Sequence, residues 1–324
     1  MALISVDAVM ESLDLTTPQP KLITDATEFR PLDDNRLFVE LDGSEYIIDS
    51  DVVISFSQML KIPGSYASKL PPELLIDHWR YWIDINGSSF KAWVVNNKVV
   101  GIGSERATFI EPREILSTLS SVIDGNVYVF SMQTTYNDVG FKVVSIDNEV
   151  SLFDHDVFFP GLYFNYSPTG RKPLSLEGFT VREVCTNGML DTETVEKLRR
   201  NVVPDDPIAW IYDAASVVWD ETFNIFDRIR SAGEVVVPRG HVAEVLNDLF
   251  IQHRIPTVLR SEIYSSVLDD PSSEFTMMDI INHITAVASH SPELSESQRN
   301  RLFRTASLAL EHQHICDTCY RPLP

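Results

Sequence analysis

The sequence predicts an α+β protein in which an antiparallel, strand-rich N-terminal and central lobe, residues 1–190, packs against a helical C-terminal lobe, residues 191–311, with a short Cys/His tail over 312–324. Three observations carry this. Short apolar runs bounded by turn dipeptides recur as far as Cys185; the apolar period becomes helical from Asp191 onward; and no low-complexity stretch separates the two halves.

Taken in order, residues 36–41 alternate in polarity and read as a strand, Asp42-Gly43 as a hairpin turn, and Glu45-Tyr46-Ile47-Ile48 as the returning partner. Ser50 or Asp51 caps a helix that reaches Leu60 with Val52, Phe56 and Met59 on one face, and Pro63-Gly64 ends it. Pro71-Pro72 opens the next helix, because proline fits a first turn; Leu75, Trp79 and Trp82 follow at helical intervals. Asn96-Asn97, which tolerates positive φ, joins two strand-like runs between 91 and 102. Strands are expected over 127–136, 141–146, 162–166 and 179–185, with one helix over 112–122. Helices are then expected over 193–200, from Asp206-Pro207 to about residue 231 with Gly233 as a left-handed C-terminal residue, and over 238–254, 258–268, 275–289 and 292–313.

A hydrophobic share of 44% with 23% charged residues is that of an ordinary globular chain, so a real core is expected. No stretch approaches the roughly 20 apolar residues of a membrane-spanning helix. The first residues lack a basic region followed by an apolar core, which makes the cytoplasm of a host cell the expected location. Three cysteines are too few and too unevenly placed for a disulfide framework. The formal charge of −21 repels polyanions at long range and excludes a broadly cationic DNA-coating surface. A local basic groove stays compatible with it, because fields are screened beyond about 8 Å at physiological salt.

Three segments carry a resemblance to a family. Residues 60–70, Leu-Lys-Ile-Pro-Gly-Ser-Tyr-Ala-Ser-Lys-Leu, are followed by a hairpin-like run over 99–107; residues 179–189 contain Arg182, Cys185, Asn187 and Gly188; residues 275–285 contain Thr276, Asp279, Asn282 and Thr285. In this order they resemble the phage- and plasmid-borne family called domain of unknown function 932. His283 departs from the pattern, standing where that family has a small residue. The resemblance implies a mobile-element protein linked with replication or recombination, without a settled activity.

Candidate sites follow from residue chemistry. Cys185 before a turn invites a nucleophilic reading, but no histidine lies near it in sequence, and packing at a strand end is the plainer account. Thr276 and Asp279 have capping-box spacing, while Asn282, His283 and Thr285 could form a polar strip beside Ile280, Ile281 and Ile284. Asp154-His155-Asp156 holds metal-capable groups, yet neighbours on a strand alternate faces. Asp205-Asp206 and Asp269-Asp270 read as acids at helix starts. No phosphate-binding loop, nucleophile elbow or His-Glu-x-x-His is present, so nothing specific points to an enzyme.

The sharpest chemical pattern is His312, His314, Cys316 and Cys319, whose thiolates and imidazoles could hold zinc, with a ligand drawn if needed from another segment or subunit; an unstructured tail is the alternative. Basic residues cluster at Arg171-Lys172, at Lys197, Arg199 and Arg200, and at Arg299, Arg301 and Arg304, the last not forming one helical stripe. Arg171, Lys172 and Arg182 beside Tyr163 and Tyr166 would combine phosphate contacts with base stacking. The resemblance implies, and these residues are compatible with, a non-enzymatic, homo-oligomeric phage or plasmid accessory protein that binds single-stranded DNA in replication or recombination. A viral structural or host-protein-binding role, or an enzyme without a recognisable motif, are the alternatives.

Overall fold

The computed structural model describes residues 3–13, 17–24, 26–32, 36–86, 89–153, 156–169, 172–182, 188–190 and 204–310. Among the described residues it is an α+β fold of two large sheets and one two-stranded sheet, with helices concentrated toward the C-terminus. After β1 (Ile4–Ser5) and α1 (Val6–Ser12), an N-terminal lobe is built from β2 (Gln19–Ile23), β3 (Phe29–Pro31), β4 (Leu37–Leu41), β5 (Ser44–Ile48), α2 (Ser50–Met59), α3 (Gly64–Ala67), α4 (Pro72–Asn86), β6 (Phe90–Val95) and β7 (Lys98–Ser104). Its sheet runs β2-β6-β7-β5-β4-β3, antiparallel except where β5 and β7 pair in parallel.

The two hairpins form where positive φ was expected. Asp42 and Gly43 have φ of 52° and 73°, and Asn96 and Asn97 have 46° and 62°. Helices α2 and α4 cover the sheet, and Phe29, Phe56, Trp79 and Phe90 meet with ring centroids 5.0–5.6 Å apart in the centre of this core. Trp79 Nε1 donates to Ser57 Oγ at 2.9 Å, so the indole is buried without an orphaned donor. Trp82, expected beside it, is only half-buried.

The second sheet follows α5 (Pro112–Val122), and comprises β8 (Val127–Thr134), β9 (Val139–Ser145), β10 (Val150–Leu152), β11 (Asp156–Tyr166), β12 (Ser175–Arg182) and β13 (Gly188–Leu190). Its order is β1-β8-β9-β11-β12-β13, with β10 on β11. It is covered on both faces. Leu162, Phe164 and Tyr166 face α1, α5 and α6 (Pro207–Thr222), while Phe159 and Tyr163 face α7 (Asn224–Glu234), α8 (Arg239–Gln252), α9 (Thr257–Leu268), α10 (Met277–His290) and α11 (Glu296–Ala309). A small sheet of β14 (Val236–Pro238) and β15 (Glu274–Thr276) ties the helices together.

Several expectations need correction. The helix expected to run unbroken from 206 to 231 is two, turning at Phe223, with Asp206 capping the first through Ala209 N–H at 3.0 Å. Gly233 lies inside α7 and not at a left-handed C-terminus; a Cβ there would stand 2.1 Å from the Phe153 ring, so close packing demands the glycine. The N-cap of α2 is Asp49, one residue before the expected pair. Asp269 ends α9, and Asp270 accepts from Ser272 N–H in a turn; no helix starts there. Phe275 belongs to a strand, whereas the Thr276–Asp279 capping box of α10 is present as read. The expected helix at 193–200 lies outside the described residues.

Candidate functional site

A groove of about 810 Å³ in the N-terminal lobe gathers cations: Arg36, Lys69 and Lys98 stand with Asp49, Ser50 and Ser68 around apolar Leu37, Ile48, Ile54 and Leu75. Each wall follows from local sequence. The segment 60–70 bends sharply: Lys61 takes φ of 64°, Ile62 N–H returns to Ser57 C=O at 2.8 Å, and Pro63 precedes α3. At Gly64 a Cβ would lie 2.9 Å from both Ile54 Cγ2 and Gln58 Nε2, so only glycine lets α3 approach α2 this closely. Pro72 then opens α4 and leaves Lys69 on the rim. On the opposite side, the parallel β5–β7 pair aligns Ile47 with Lys98 and so brings Lys98 beside the start of α2.

All three cations are exposed, and Lys98 faces Asp49 at 3.6 Å with both side chains about half in water. Such a pair holds little energy and can exchange its carboxylate for another anion. Tyr66, 48% exposed, precedes the lining segment 67–72 directly, and its ring meets His78 edge-on at 6.0 Å. The groove therefore offers cationic edges and an apolar floor, with the exposed Tyr66 next to its lining segment in sequence, a combination that suits a ligand that is both anionic and planar.

The residues expected to bind nucleic acid are not brought together. Tyr163 and Tyr166 are both buried, on opposite faces of the central sheet, because an offset of three along a strand reverses direction. Asn300 Nδ2 donates to the Tyr163 hydroxyl at 3.0 Å, and the Tyr166 hydroxyl accepts from Ile110 N–H at 2.8 Å. Arg182 makes two 2.6 Å bonds to Asp156, and Lys172 pairs with Asp138 at 2.8 Å. Arg171 lies outside the described residues, as do the zinc candidates His312, His314, Cys316 and Cys319 and the reactive-thiol candidate Cys185. Among the described residues there is no group of three metal-capable side chains.

Elsewhere cations serve the fold. Arg299 donates to the carbonyls of Ala288, Ser289 and Ser291 at the end of α10, and Arg304 donates to Glu177. His283 bridges Ser266 Oγ, 2.8 Å from Nδ1, and Asp270 Oδ2, 3.3 Å from Nε2, and so fastens α10 to the end of α9. Hydrogen bonds from Ser272 and the nearby imidazole hold the Asp270 carboxyl below its ordinary value. No family model, curated protein or solved structure matches the chain.

Sequence reasoning missed Arg36, Lys69 and Lys98. They are far apart in the chain, and only the α2–α3–α4 bend and the parallel strand pair collect them. A partial signal existed in Tyr66 and Lys69, which fall inside the segment that carries the first resemblance.

Proposed function

We propose that the chain is a binding protein of a phage or plasmid, without catalytic activity of its own, which takes up single-stranded nucleic acid in the N-terminal groove. Phosphates sit against Arg36, Lys69 and Lys98, bases lie over the apolar floor, and Tyr66 stacks on one of them. The observation that carries this reading is the convergence of three exposed cations on one groove in a chain of net charge −21. The family resemblance over residues 60–70, of which 67–70 line the groove, supports the same setting in replication or recombination.

Fluorescence anisotropy of labelled single-stranded oligonucleotides at several salt concentrations tests it. Each phosphate neutralised on a single strand contributes a slope of about −0.7 in log affinity against log salt, so replacing all three cations with alanine should flatten the slope by up to about 2. Tyr66→Ala should weaken binding by about 1–3 kcal/mol with the slope kept, since stacking releases no counterions. Absence of binding to any oligonucleotide at low salt, with the protein folded, removes the reading.

A second reading, a viral structural or host-interaction protein, draws on a different surface. Leu74, Tyr81 and Ile85 on α4 are 49%, 60% and 58% exposed and share one helical face, flanked by the acids Asp77 and Asp84. Their like charges disfavour pairing with a second copy through the same face and suit a basic partner.

A further inference from the structure

Helix α4 turns a second face to solvent, away from the core that Trp79 occupies. Leu74, His78, Tyr81 and Ile85 recur at i, i+4, i+7 and i+11, the spacing by which one helix seats another along an apolar seam. At 1.5 Å per residue the seam is about 16 Å long, or about three helical turns. Leu74, Tyr81 and Ile85 are half-exposed or more, whereas Leu75, Ile76, Trp79 and Ile83 on the inner face are buried. The sequence thus gives α4 more apolar surface than its own lobe covers.

The seam is held in shape by its neighbours. His78 Nδ1 donates to the Leu74 carbonyl at 2.7 Å, and its ring meets Tyr66 edge-on at 6.0 Å. The Tyr81 ring meets Trp82 edge-on at 5.6 Å. Side chains already braced lose less rotamer freedom on docking, and an aromatic near the middle of a contact is the usual anchor.

The charges beside the seam select its occupant. Glu73, Asp77 and Asp84 are exposed, fall within about 40° of one another around the helix, and border the seam on one side. Arg80 shares this edge, but it divides its guanidinium between Asp77 and Phe29 C=O, each at 3.4 Å, and the Asp77 side chain stays 66% exposed. A second copy docked antiparallel through the seam would set Asp77 and Asp84 against the same acids; a partner with cations there turns that repulsion into attraction. We propose that this face receives an amphipathic helix of another protein, with an apolar seam of its own and lysine or arginine along one edge. The proposal rests on the second reading above, that α4 is an interface, and names the partner's chemistry.

Isothermal titration of the full chain with three synthetic helical peptides tests it: one with leucine along the seam and lysine along one edge, one with glutamate replacing the lysine, and one with the first peptide's residues scrambled. The lysine peptide should bind saturably, one per chain, and the other two at least about tenfold more weakly. Tyr81→Ser and Ile85→Ser, at exposed positions whose replacement spares the core, should each weaken the lysine peptide by about tenfold or more. Asp77→Asn with Asp84→Asn should weaken it by about threefold or more and flatten its salt dependence. Lys98→Ala in the groove should leave it unchanged. Equal binding of the scrambled peptide, or full affinity of the lysine peptide for the folded Tyr81→Ser and Ile85→Ser proteins, overturns the proposal. Binding of the glutamate peptide alone, lost in Tyr81→Ser, overturns the basic partner and keeps α4 as an interface, whereas failure of every peptide overturns both. Sedimentation of the unliganded chain supplies the remaining outcome: a dimer that Tyr81→Ser dissociates assigns the face to a second copy and overturns the proposal as well.

Discussion

The N-terminal groove and the central sheet both present lysine beside a concavity, but they place the charge in opposite environments. Lys69 and Lys98 stand in water on a rim, whereas Lys142 is enclosed between a sheet and a helix. A rim charge keeps most of its hydration and can change partners at little cost. An enclosed charge has lost its hydration and is held by whatever the fold supplies. The difference teaches that function and stability separate at the groove and are coupled at the sheet, and each consequence can be measured.

The largest effect should come from the core beneath the groove. Trp79→Ala removes the largest ring of the Phe29–Phe56–Trp79–Phe90 cluster, and loss of a fully buried large aromatic costs about 3–5 kcal/mol. The hydrophobic cluster under the groove is distinct from the two that flank the central sheet. Urea unfolding followed by a central-sheet probe and an N-terminal-lobe probe should therefore show the N-terminal transition displaced more. Equal displacement of both would break the comparison, since the two regions would then unfold as one.

Next in size is the enclosed charge itself. Lys142→Met preserves volume but leaves Asn300 Oδ1 without its ammonium donor, at a cost of about 1–3 kcal/mol for a buried unsatisfied group. An unchanged urea midpoint would mean that water reaches the site freely.

The junction between the regions makes a pH-dependent prediction. Tyr166 is buried in the central sheet, and its hydroxyl bonds Ile110 in the stretch that leads from β7 into α5. Burial pushes the Tyr166 phenol well above its ordinary value; the hydrogen bond from Ile110 opposes the shift, and the nearby Glu111 carboxylate adds to it. The folded state therefore holds the neutral phenol. Its contribution is complete below the ordinary tyrosine value of about 10 and is lost as pH rises from there toward the raised native value. Melting temperature should fall above about pH 10, and Tyr166→Phe should make that decline shallower. An equal decline in both proteins would assign it to other groups.

What the sequence disclosed follows from how local each signal is. Asp42-Gly43, Asn96-Asn97, Pro72 and the Thr276–Asp279 box act within a few residues, and each formed the element expected of it. Gly233 was misjudged because its neighbour Phe153 is eighty residues away in sequence and invisible to a local rule. The pairing of Tyr163 with Tyr166 ignored the two-residue period of a strand, which alone separates them. Lys142 and Glu177 had a readable mark, a lone charge between apolar neighbours in each of two strands. Reading it as buried required knowing that helices cover both faces of that sheet. The groove was least legible, since its cations come from three separate segments.

The smallest expected effect on stability tests the rim. Lys98 and Asp49 lie 3.6 Å apart with side chains 56% and 46% exposed, so the attraction is screened and both groups stay hydrated when separated. Lys98→Ala should move the urea midpoint by an amount equivalent to no more than about 0.5 kcal/mol, the usual range for a surface substitution. If the groove binds phosphate, the same variant should flatten the salt dependence of oligonucleotide binding by about 0.7 in slope, a change that needs no loss of folded protein. Asp49→Asn provides the converse measurement: it withdraws the competing carboxylate from Lys98, so affinity should rise while stability stays within the same narrow range. A variant of either kind that altered stability and binding together would place Lys98 with Lys142, as a charge on which the fold depends, and would remove the distinction between the two regions.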